Sequence, residues 1–236
     1  MKKPIIGIVT KHVDRDGSDM GLGPMTQSSD SIAHFVHNNG GIPMGIFPSD
    51  LGVNLRNDVF DPIKYKLTAK SKKRLIDVIG CCDGVVLQGG FVNDEYELFV
   101  AKYCFDNDIP ILGICAGCQI MAHVLGGDIA RHSESGHFLE NYATHEIKIS
   151  RGTKLFDIVG AEGHAVNSIH NYFVSGVSLA TCAISAVGTD GNIEAFEAID
   201  KKFYVGVQWH PELPPLCTCS TNIFAALVDS AKRRRR

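Results

Sequence analysis

Cys115 is the residue whose surroundings best suit covalent chemistry. It lies between Gly113 and Gly117, directly after the apolar run 109–114 and before a stretch with helical spacing of apolar residues. Small neighbours permit the sharp strand-to-helix turn on which hydrolases hold a nucleophile, and the following helix N-terminus favours a thiolate. The pattern predicts a cysteine nucleophile, with the N–H of Ala116 directed at a developing oxyanion. The alternative is a cysteine that only packs at a tight turn.

Cys118 lies three residues after the predicted nucleophile, on the inward face of the predicted helix. We assign it to packing, because a free cysteine is often buried as a small apolar side chain. A redox pairing with Cys115 is the alternative that the spacing leaves open.

A thiol nucleophile needs a base, and the base needs a group that orients it. The strand-like run 203–209 ends at His210, and Glu212 follows two residues later. Glu212 can turn back to bond the imidazole and fix its tautomer, while Pro211 stiffens the link between them. We therefore predict His210 as the acid/base and Glu212 as its orienting carboxylate. A surface histidine ahead of a loop is the alternative.

Gly89 and Gly90 follow the buried run 84–87, at the end of another predicted strand. Paired glycines let backbone N–H groups approach a ligand closely, so this turn predicts a second oxyanion donor. Such a pair also occurs in ordinary turns, and that interpretation stays open here.

The elements that must position these residues form an alternating pattern of strands and helices. Apolar runs bounded by Gly, Pro or Asp lack strict alternation, as expected for strands that are covered on both faces. These runs span residues 5–9, 42–47, 84–87 and 109–114. Helical spacing of apolar residues lies between them. The pattern predicts an α/β fold with a three-layer, mostly parallel, doubly wound sheet.

The second half of the chain predicts a small antiparallel extension that completes the site. Its strand-like runs span residues 145–150, 181–187, 193–198 and 203–209, with a turn signal at Asp190 and Gly191. We predict one domain over residues 1–231, followed by a disordered basic tail over residues 232–236. A nucleic-acid or localisation patch is the alternative for that tail.

Composition excludes several classes of protein. The chain has 236 residues and a formal net charge of -3, which argues against a nucleic-acid binder. Its apolar runs are too short for a bilayer span or for the core of a signal peptide, so we expect a cytoplasmic protein without a membrane partner. The eight cysteines lack the paired spacing of a zinc site, and the chain is not cysteine-dense enough for a disulfide framework. We predict no metal and no cofactor, and we leave homo-oligomerisation open.

Three segments together resemble the class I glutamine amidotransferase superfamily. Residues 113–119 match its Gly-x-Cys-x-Gly-x-Gln elbow, residues 208–212 match its His-Pro-Glu ending, and residues 87–90 match its oxyanion strand. Further segments look like the γ-glutamyl-γ-aminobutyrate hydrolase family, also called peptidase family C26; they span residues 40–43, 144–147, 166–170 and 190–195. The resemblance covers nearly the whole chain, in the same order.

The resemblance implies a flavodoxin-like fold and a hydrolase that needs no cofactor. It assigns the roles of nucleophile, acid/base and orienting group to Cys115, His210 and Glu212. It assigns the oxyanion N–H groups to Gly90 and Ala116. It assigns contacts with the γ-glutamyl group to four polar residues, Gln119, Asn167, Ser168 and His170. The implied reaction cleaves a small γ-glutamyl amine through a γ-glutamyl thioester and releases glutamate and an amine.

The sequence departs from the family pattern at two places on the predicted amine side. Residues 91–94 run directly into a helix where the family has a longer loop, and the family's His-His-Gln is replaced here by His170, Asn171 and Tyr172. The acyl donor is therefore better supported than the leaving amine. The alternatives are a glutaminase subunit that supplies ammonia to a separate synthase chain, and a non-catalytic binding protein.

Overall fold

Five parallel strands form the centre of the fold. The structure, a computed structural model, describes residues 2–13, 25–48, 67–90, 95–132, 144–214 and 219–234. From the edge inwards, the parallel strands are β4 (Ile42–Ile46), β1 (Ile5–Val9), β5 (Gly84–Leu87), β6 (Ile111–Ile114) and β13 (Tyr204–Val207). The predicted parallel sheet is thereby confirmed.

Helices cover both faces of this parallel sheet. They are α1 (Asp30–Asn38), α2 (Ala69–Gly80), α3 (Glu95–Asp106), α4 (Ala116–Val124), α5 (Lys154–Val159) and α6 (Cys219–Arg234). Successive side chains of a strand point to opposite faces. Ile6 and Ile8 therefore pack with α1 and α6, whereas Val9 belongs to the cluster that contains α2, α3 and α4. The predicted three-layer arrangement follows from this alternation.

The antiparallel part of the sheet is larger than the small extension that the sequence predicts. It continues through β12 (Ile193–Ala198), β11 (Cys182–Gly188), β8 (Thr144–Ile149) and β9 (Gly163–Asn167), while β10 (Tyr172–Gly176) and β7 (Asp128–Arg131) branch from β12. The prediction that residues 203–209 belong to the antiparallel group is wrong in part. β13 pairs antiparallel with β12 but parallel with β6, so it joins the two parts. A buried apolar run carries no sign of strand direction.

A buried glutamine fixes the turn that follows β5. Nε2 of Gln88 donates to the carbonyls of Val9 at 2.7 Å and Gln27 at 3.1 Å, and its Oε1 accepts from the N–H of Ser29 at 3.0 Å. Gln27 ends a short two-stranded sheet, which consists of β2 (Lys11–Val13) and β3 (Met25–Gln27). The turn that carries Gly89 is thus tied to three neighbouring elements.

The C-terminal helix extends further than the sequence predicts. α6 ends at Arg234, so residues 232–234 of the predicted disordered tail are helical, and residues 235 and 236 lie outside the described residues. Basic side chains at a helix C-terminus interact favourably with the helix dipole. Lys232 also pairs with Asp229 at 2.8 Å, and Arg234 donates to the carbonyl of Cys82 at 3.4 Å. No helix within the described ranges is long and apolar enough to cross a bilayer.

Most of the cysteines lie in the core as free thiols, as predicted. The free cysteines are Cys81, which is exposed, and the buried Cys82, Cys104, Cys115, Cys118 and Cys182. Burial raises the pKa of the Cys82 thiol to about 12 and that of Cys118 well above its usual value. Cys219, at the start of α6, is an exception to the expected free thiols, because it is disulfide-bonded.

The turn from β6 into α4 packs backbone against backbone. A methyl group on Gly117 would lie 2.1 Å from the carbonyl oxygen of Leu87, and one on Gly113 would lie 2.8 Å from the carbonyl oxygen of Gly117. No side-chain rotation relieves a collision with backbone atoms. Glycine is therefore required at both positions by the close approach of β5, β6 and α4.

We expect Gly117→Ala to lower the free energy of unfolding by about 2–3 kcal/mol, because overpacking forces the backbone to shift. Gly80, the last residue of α2, is the matched control, since no atom of the described residues lies within 4 Å of a methyl group built there. Gly80→Ala should leave stability unchanged or raise it by up to ~1 kcal/mol. Urea denaturation measures both effects. Equal midpoints for the two variants would contradict the close packing of α4 on β5.

Candidate active site

Cys115 occupies the turn between β6 and α4, in a backbone conformation that few residues adopt. It has φ 51° and ψ -108°, and among the described non-glycine residues only Asp108 also has a positive φ. The N–H of Cys115 donates to the carbonyl of Val207 at 2.8 Å. Such strain persists only where the surrounding structure enforces it, and it clusters at functional sites. The predicted strand–turn–helix geometry is present at this cysteine.

His210 lies beside Cys115, and Glu212 orients its ring. Nδ1 of His210 lies 2.9 Å from Oε1 of Glu212, and the ring also hydrogen-bonds the thiol of Cys115. Burial alone would lower the pKa of His210, but the charge and hydrogen bond of Cys115, together with the Glu212 carboxylate, raise it to about 10. The structure thus brings together the three residues predicted to act as nucleophile, base and orienting group, in a geometry that suits a thiolate–imidazolium pair.

Gly89 brings the turn after β5 against this pair. A methyl group on Gly89 would lie 2.4 Å from Cε1 of His210 and 3.3 Å from Cβ of Cys115. The next residue, Gly90, has φ 118°, a conformation that favours glycine. Ala116, the residue after Cys115, starts α4. Gly90 is adjacent to Gly89, and Ala116 is adjacent to Cys115. The oxyanion roles of Gly90 and Ala116 stay predictions.

A buried ion pair lies beside Gly90, and sequence reasoning missed it. Lys11 and Glu97 form the pair, with their side chains 7% and 1% exposed. A methyl group on Gly90 would lie 3.7 Å from Cγ of Lys11, so the lysine stem covers that glycine. Lys11 follows β1 closely and Glu97 lies in α3; nothing in the sequence pattern pairs a cation and an anion so far apart along the chain.

Gln119 turns its amide group into the protein. Its Nε2 donates to the carbonyl of Tyr172 at 2.7 Å and to Oε1 of Gln208 at 3.2 Å. These bonds tie α4 to β10 and to the segment after β13. Both N–H groups of the amide are used in these two bonds. The predicted contact with a γ-glutamyl group would therefore have to use the amide oxygen.

Asn167 contacts the loop that carries the predicted base. Its Nδ2 donates to the carbonyls of His210 at 2.8 Å and Leu213 at 2.9 Å. Its Oδ1 accepts from the N–H of His210, also at 2.8 Å. The side chain of Asn167 therefore joins the end of β9 to the backbone on both sides of Pro211.

Residues 168–170, which follow Asn167, pass over the predicted nucleophile. Oγ of Ser168 lies 3.3 Å from Nε2 of His170, and both residues are buried. Between them, the carbonyl oxygen of Ile169 lies 3.9 Å from Sγ of Cys115. The predicted substrate contacts of Ser168 and His170 stay predictions, and both side chains already bond within the protein.

A fully buried carboxylate lies behind this segment. Oε1 of Glu194 lies 3.3 Å from Nε2 of His145 and 3.9 Å from Nε2 of His170. Burial alone would lower the pKa of His145, but the hydrogen bond and charge of Glu194 raise it. The sequence signals for this group were a glutamate inside an apolar strand and its position in the family-like segment 190–195. Among the residues that the structure describes, no cluster of three or more His, Cys, Asp or Glu is arranged to hold a metal ion.

Sequence comparison places the chain among glutamine amidotransferase-like proteins. The family model of peptidase C26 matches residues 4–212. A Mycobacterium tuberculosis protein described as a candidate glutamine amidotransferase is 32% identical over 145 residues, which are 58% of this chain and 46% of that protein. A glutamine-hydrolyzing GMP synthase of Vibrio parahaemolyticus is 31% identical over 140 residues, which are 56% of this chain and 24% of that protein. The chain thus aligns with less than half of each relative.

Two solved structures share the fold. A Thermoplasma acidophilum protein described as a candidate GMP synthase subunit has a TM-score of 0.68 and 18% identity, with 100% of this chain and 97% of that chain covered. The glutaminase domain of Trypanosoma brucei CTPS, with bound acivicin, has a TM-score of 0.66 and 16% identity, with 98% and 94% covered. Identities this low show the fold alone, whereas the family match spans most of the sequence. The chain belongs to the peptidase C26 family.

Proposed function

We propose that this member of the C26 family is a cysteine-dependent hydrolase that cleaves the γ-glutamyl amide bond of a small γ-glutamyl amine. The observation that carries the proposal is the position of His210, whose ring bonds both the Cys115 thiol and the Glu212 carboxylate. A nucleophile, a base and a group that orients the base are the parts that acyl transfer through a covalent intermediate requires. All three residues are buried at one edge of the sheet.

Acylation begins when the thiolate sulfur of Cys115 attacks the carbon of the γ-carbonyl group. The carbonyl oxygen becomes an oxyanion, which N–H groups from Gly90 and Ala116 stabilise. The C–N bond then breaks, and the leaving nitrogen takes its proton from the imidazolium of His210. The products of this half are a γ-glutamyl thioester on Cys115 and a free amine.

Deacylation uses the same groups in reverse. Neutral His210 takes a proton from water, and the resulting hydroxide oxygen attacks the thioester carbon. The C–S bond breaks, glutamate leaves, and the thiolate–imidazolium pair is restored. Glu212 stabilises the imidazolium and keeps the ring nitrogen that faces Cys115 available for proton transfer.

A glutaminase that supplies ammonia to a separate synthase chain is the second candidate. Its chemistry is the same, with ammonia as the leaving group. The observation that favours it is the alignment with a synthase that is named as glutamine-hydrolyzing. The family departure at residues 91–94 lies outside the described residues, and the other departure, at Asn171 and Tyr172, borders the segment over Cys115. The leaving amine therefore has to be found by assay.

A cytoplasmic setting stays a prediction from the sequence. The cytosol keeps thiols reduced, which the proposed chemistry of Cys115 requires. The only partner we propose is the small γ-glutamyl substrate, because the net charge of -3 does not suit a nucleic-acid surface.

The purified protein alone should release glutamate from γ-glutamyl amines. We expect kcat/KM for at least one γ-glutamyl amine to exceed that for glutamine by about 10-fold or more, since the hydrolase makes use of contacts to a larger leaving group. A coupled glutamate assay over a panel of γ-glutamyl amines and glutamine measures this. Turnover of glutamine only, and only after a synthase is added, would exclude the hydrolase in favour of the glutaminase.

Cys115→Ala should lower kcat by at least about 10³-fold, because the covalent route is lost. Cys118 is the matched control, as a free and buried cysteine in the same helical turn. Cys118→Ala should retain kcat within about 3-fold, since it removes one buried sulfur without touching the proposed reaction. Steady-state kinetics and thermal midpoints of both variants check this. Full activity in Cys115→Ala would refute the nucleophile assignment.

Glu212→Gln should move the alkaline limb of the kcat/KM profile to lower pH by roughly one unit. The carboxylate favours the protonated imidazole, so its loss lowers the pKa of His210 from about 10, and the imidazolium is lost at lower pH. Glutamine can still accept a hydrogen bond from the ring. Glu162→Gln is the control, because Glu162 pairs with Arg151 on the surface. An alkaline limb at the same pH in the wild type, Glu212→Gln and Glu162→Gln would show that Glu212 does not act on His210.

A further inference from the structure

We infer that Asn167 is a positioning residue for His210, and that its side chain holds the backbone of the histidine loop instead of binding the γ-glutamyl group. The inference rests on the proposed function in one respect, the pairing of Cys115 with His210. It replaces the substrate contact that the family resemblance implies for this asparagine with a role in aligning the base.

The hydrogen bonds of Asn167 leave its amide no donor for a substrate. An asparagine amide offers two N–H donors and one carbonyl oxygen. Both donors are used by the carbonyls of His210 and Leu213, and the oxygen accepts from the N–H of His210. The residue is 2% exposed, so a ligand cannot compete for these bonds from the solvent.

The loop needs this partner because it leaves the sheet at His210. Up to Gln208, the segment after β13 still bonds a neighbouring strand, since the N–H of Gln208 donates to the carbonyl of Glu194 at 2.7 Å. Pro211 has no N–H, and the loop closes with a bond from the N–H of Leu213 to the carbonyl of His210 at 3.2 Å. Buried backbone groups require partners. Asn167 supplies the acceptor for the N–H of His210 and a second donor to its carbonyl.

Asn167 itself is held from both sides. It is the last residue of β9, where it pairs with Thr144 of β8. Beyond it, His170 lies against the fully buried carboxylate of Glu194 at 3.9 Å and against Oγ of Ser168 at 3.3 Å. The side chain that bonds the histidine loop is therefore attached to a residue whose backbone is fixed in the sheet.

The imidazole is then fixed at two points, its backbone by Asn167 and its Nδ1 by Glu212. Release of the backbone lets the ring move relative to Sγ of Cys115 while the hydrogen bond to Glu212 persists. A displacement of about 1 Å at a reacting group can lower a rate by about 100-fold. The consequence is a slower chemical step with unchanged affinity for the acyl group.

The test compares Asn167→Leu and Asn167→Ala with the wild-type chain. Leucine keeps most of the volume without charge or hydrogen bonds, and alanine is the second variant in case leucine disturbs folding. Asn222→Leu is the matched control, because Asn222 is exposed and also donates to a backbone carbonyl, that of Ile158 at 3.2 Å, in the contact between α6 and α5.

The probe is iodoacetamide, which alkylates thiolates and needs no knowledge of the substrate. Peptide mass spectrometry follows alkylation of Cys115 from about pH 5 to pH 10. The exposed Cys81 in the same chain serves as the internal reference. Kinetics with the best γ-glutamyl substrate then separate kcat from KM.

We expect both Asn167 variants to alkylate Cys115 at neutral pH about 10-fold more slowly, with a pH profile closer to that of Cys81. Their kcat should fall about 10- to 100-fold with KM within about 3-fold, whereas Asn222→Leu matches the wild type. A raised KM with an unchanged alkylation profile would overturn the inference in favour of a substrate contact. A lowered thermal midpoint alone would overturn it in favour of a purely structural role. If wild-type Cys115 reacts no faster than Cys81 at neutral pH, the proposed function falls together with this inference.

Discussion

The hydrogen bond from the N–H of Cys115 to the carbonyl of Val207 is the contact on which the site depends. It continues the ladder between the parallel strands β6 and β13 by one residue beyond β6. Parallel strands present their carboxyl ends at the same edge of a sheet, so this register brings the residues that follow both strands to one place. A slip by one residue would turn every side chain of the strand to the opposite face. The approach of Cys115 to His210 is therefore set by the pairing of the strands.

Burial makes the charged groups of the site depend on one another. An isolated histidine at the position of His210 would lose its proton easily, because burial disfavours the charged form. Cys115 and Glu212 reverse this effect and raise its pKa to about 10. The same logic applies to His145, which the buried carboxylate of Glu194 favours in its protonated form. The protonated imidazole of His210 is thus stabilised by neighbouring side chains and not by water.

Local features of the site were predictable from the sequence, and distant pairings were not. The turn at Cys115 follows from small residues at fixed spacing, and the turn after His210 follows from two neighbouring residues in the chain. The hydrogen bonds of Asn167 to the histidine loop and the ion pair of Lys11 with Glu97 join segments that are far apart in sequence. No local pattern encodes such contacts. The direction of β13 was missed for the same reason. The helical end of α6 was missed because a run of basic residues resembles a solvated tail until its contacts are known.

Cys115 is proposed to form a γ-glutamyl thioester, and acid quenching within the first turnover would trap that intermediate. The protein is mixed with its best γ-glutamyl substrate, quenched, digested and examined by peptide mass spectrometry. We expect a γ-glutamyl adduct on the peptide that contains Cys115, removable by hydroxylamine as a thioester is. Release of glutamate without any such adduct on Cys115, or with the adduct on another residue, would contradict it.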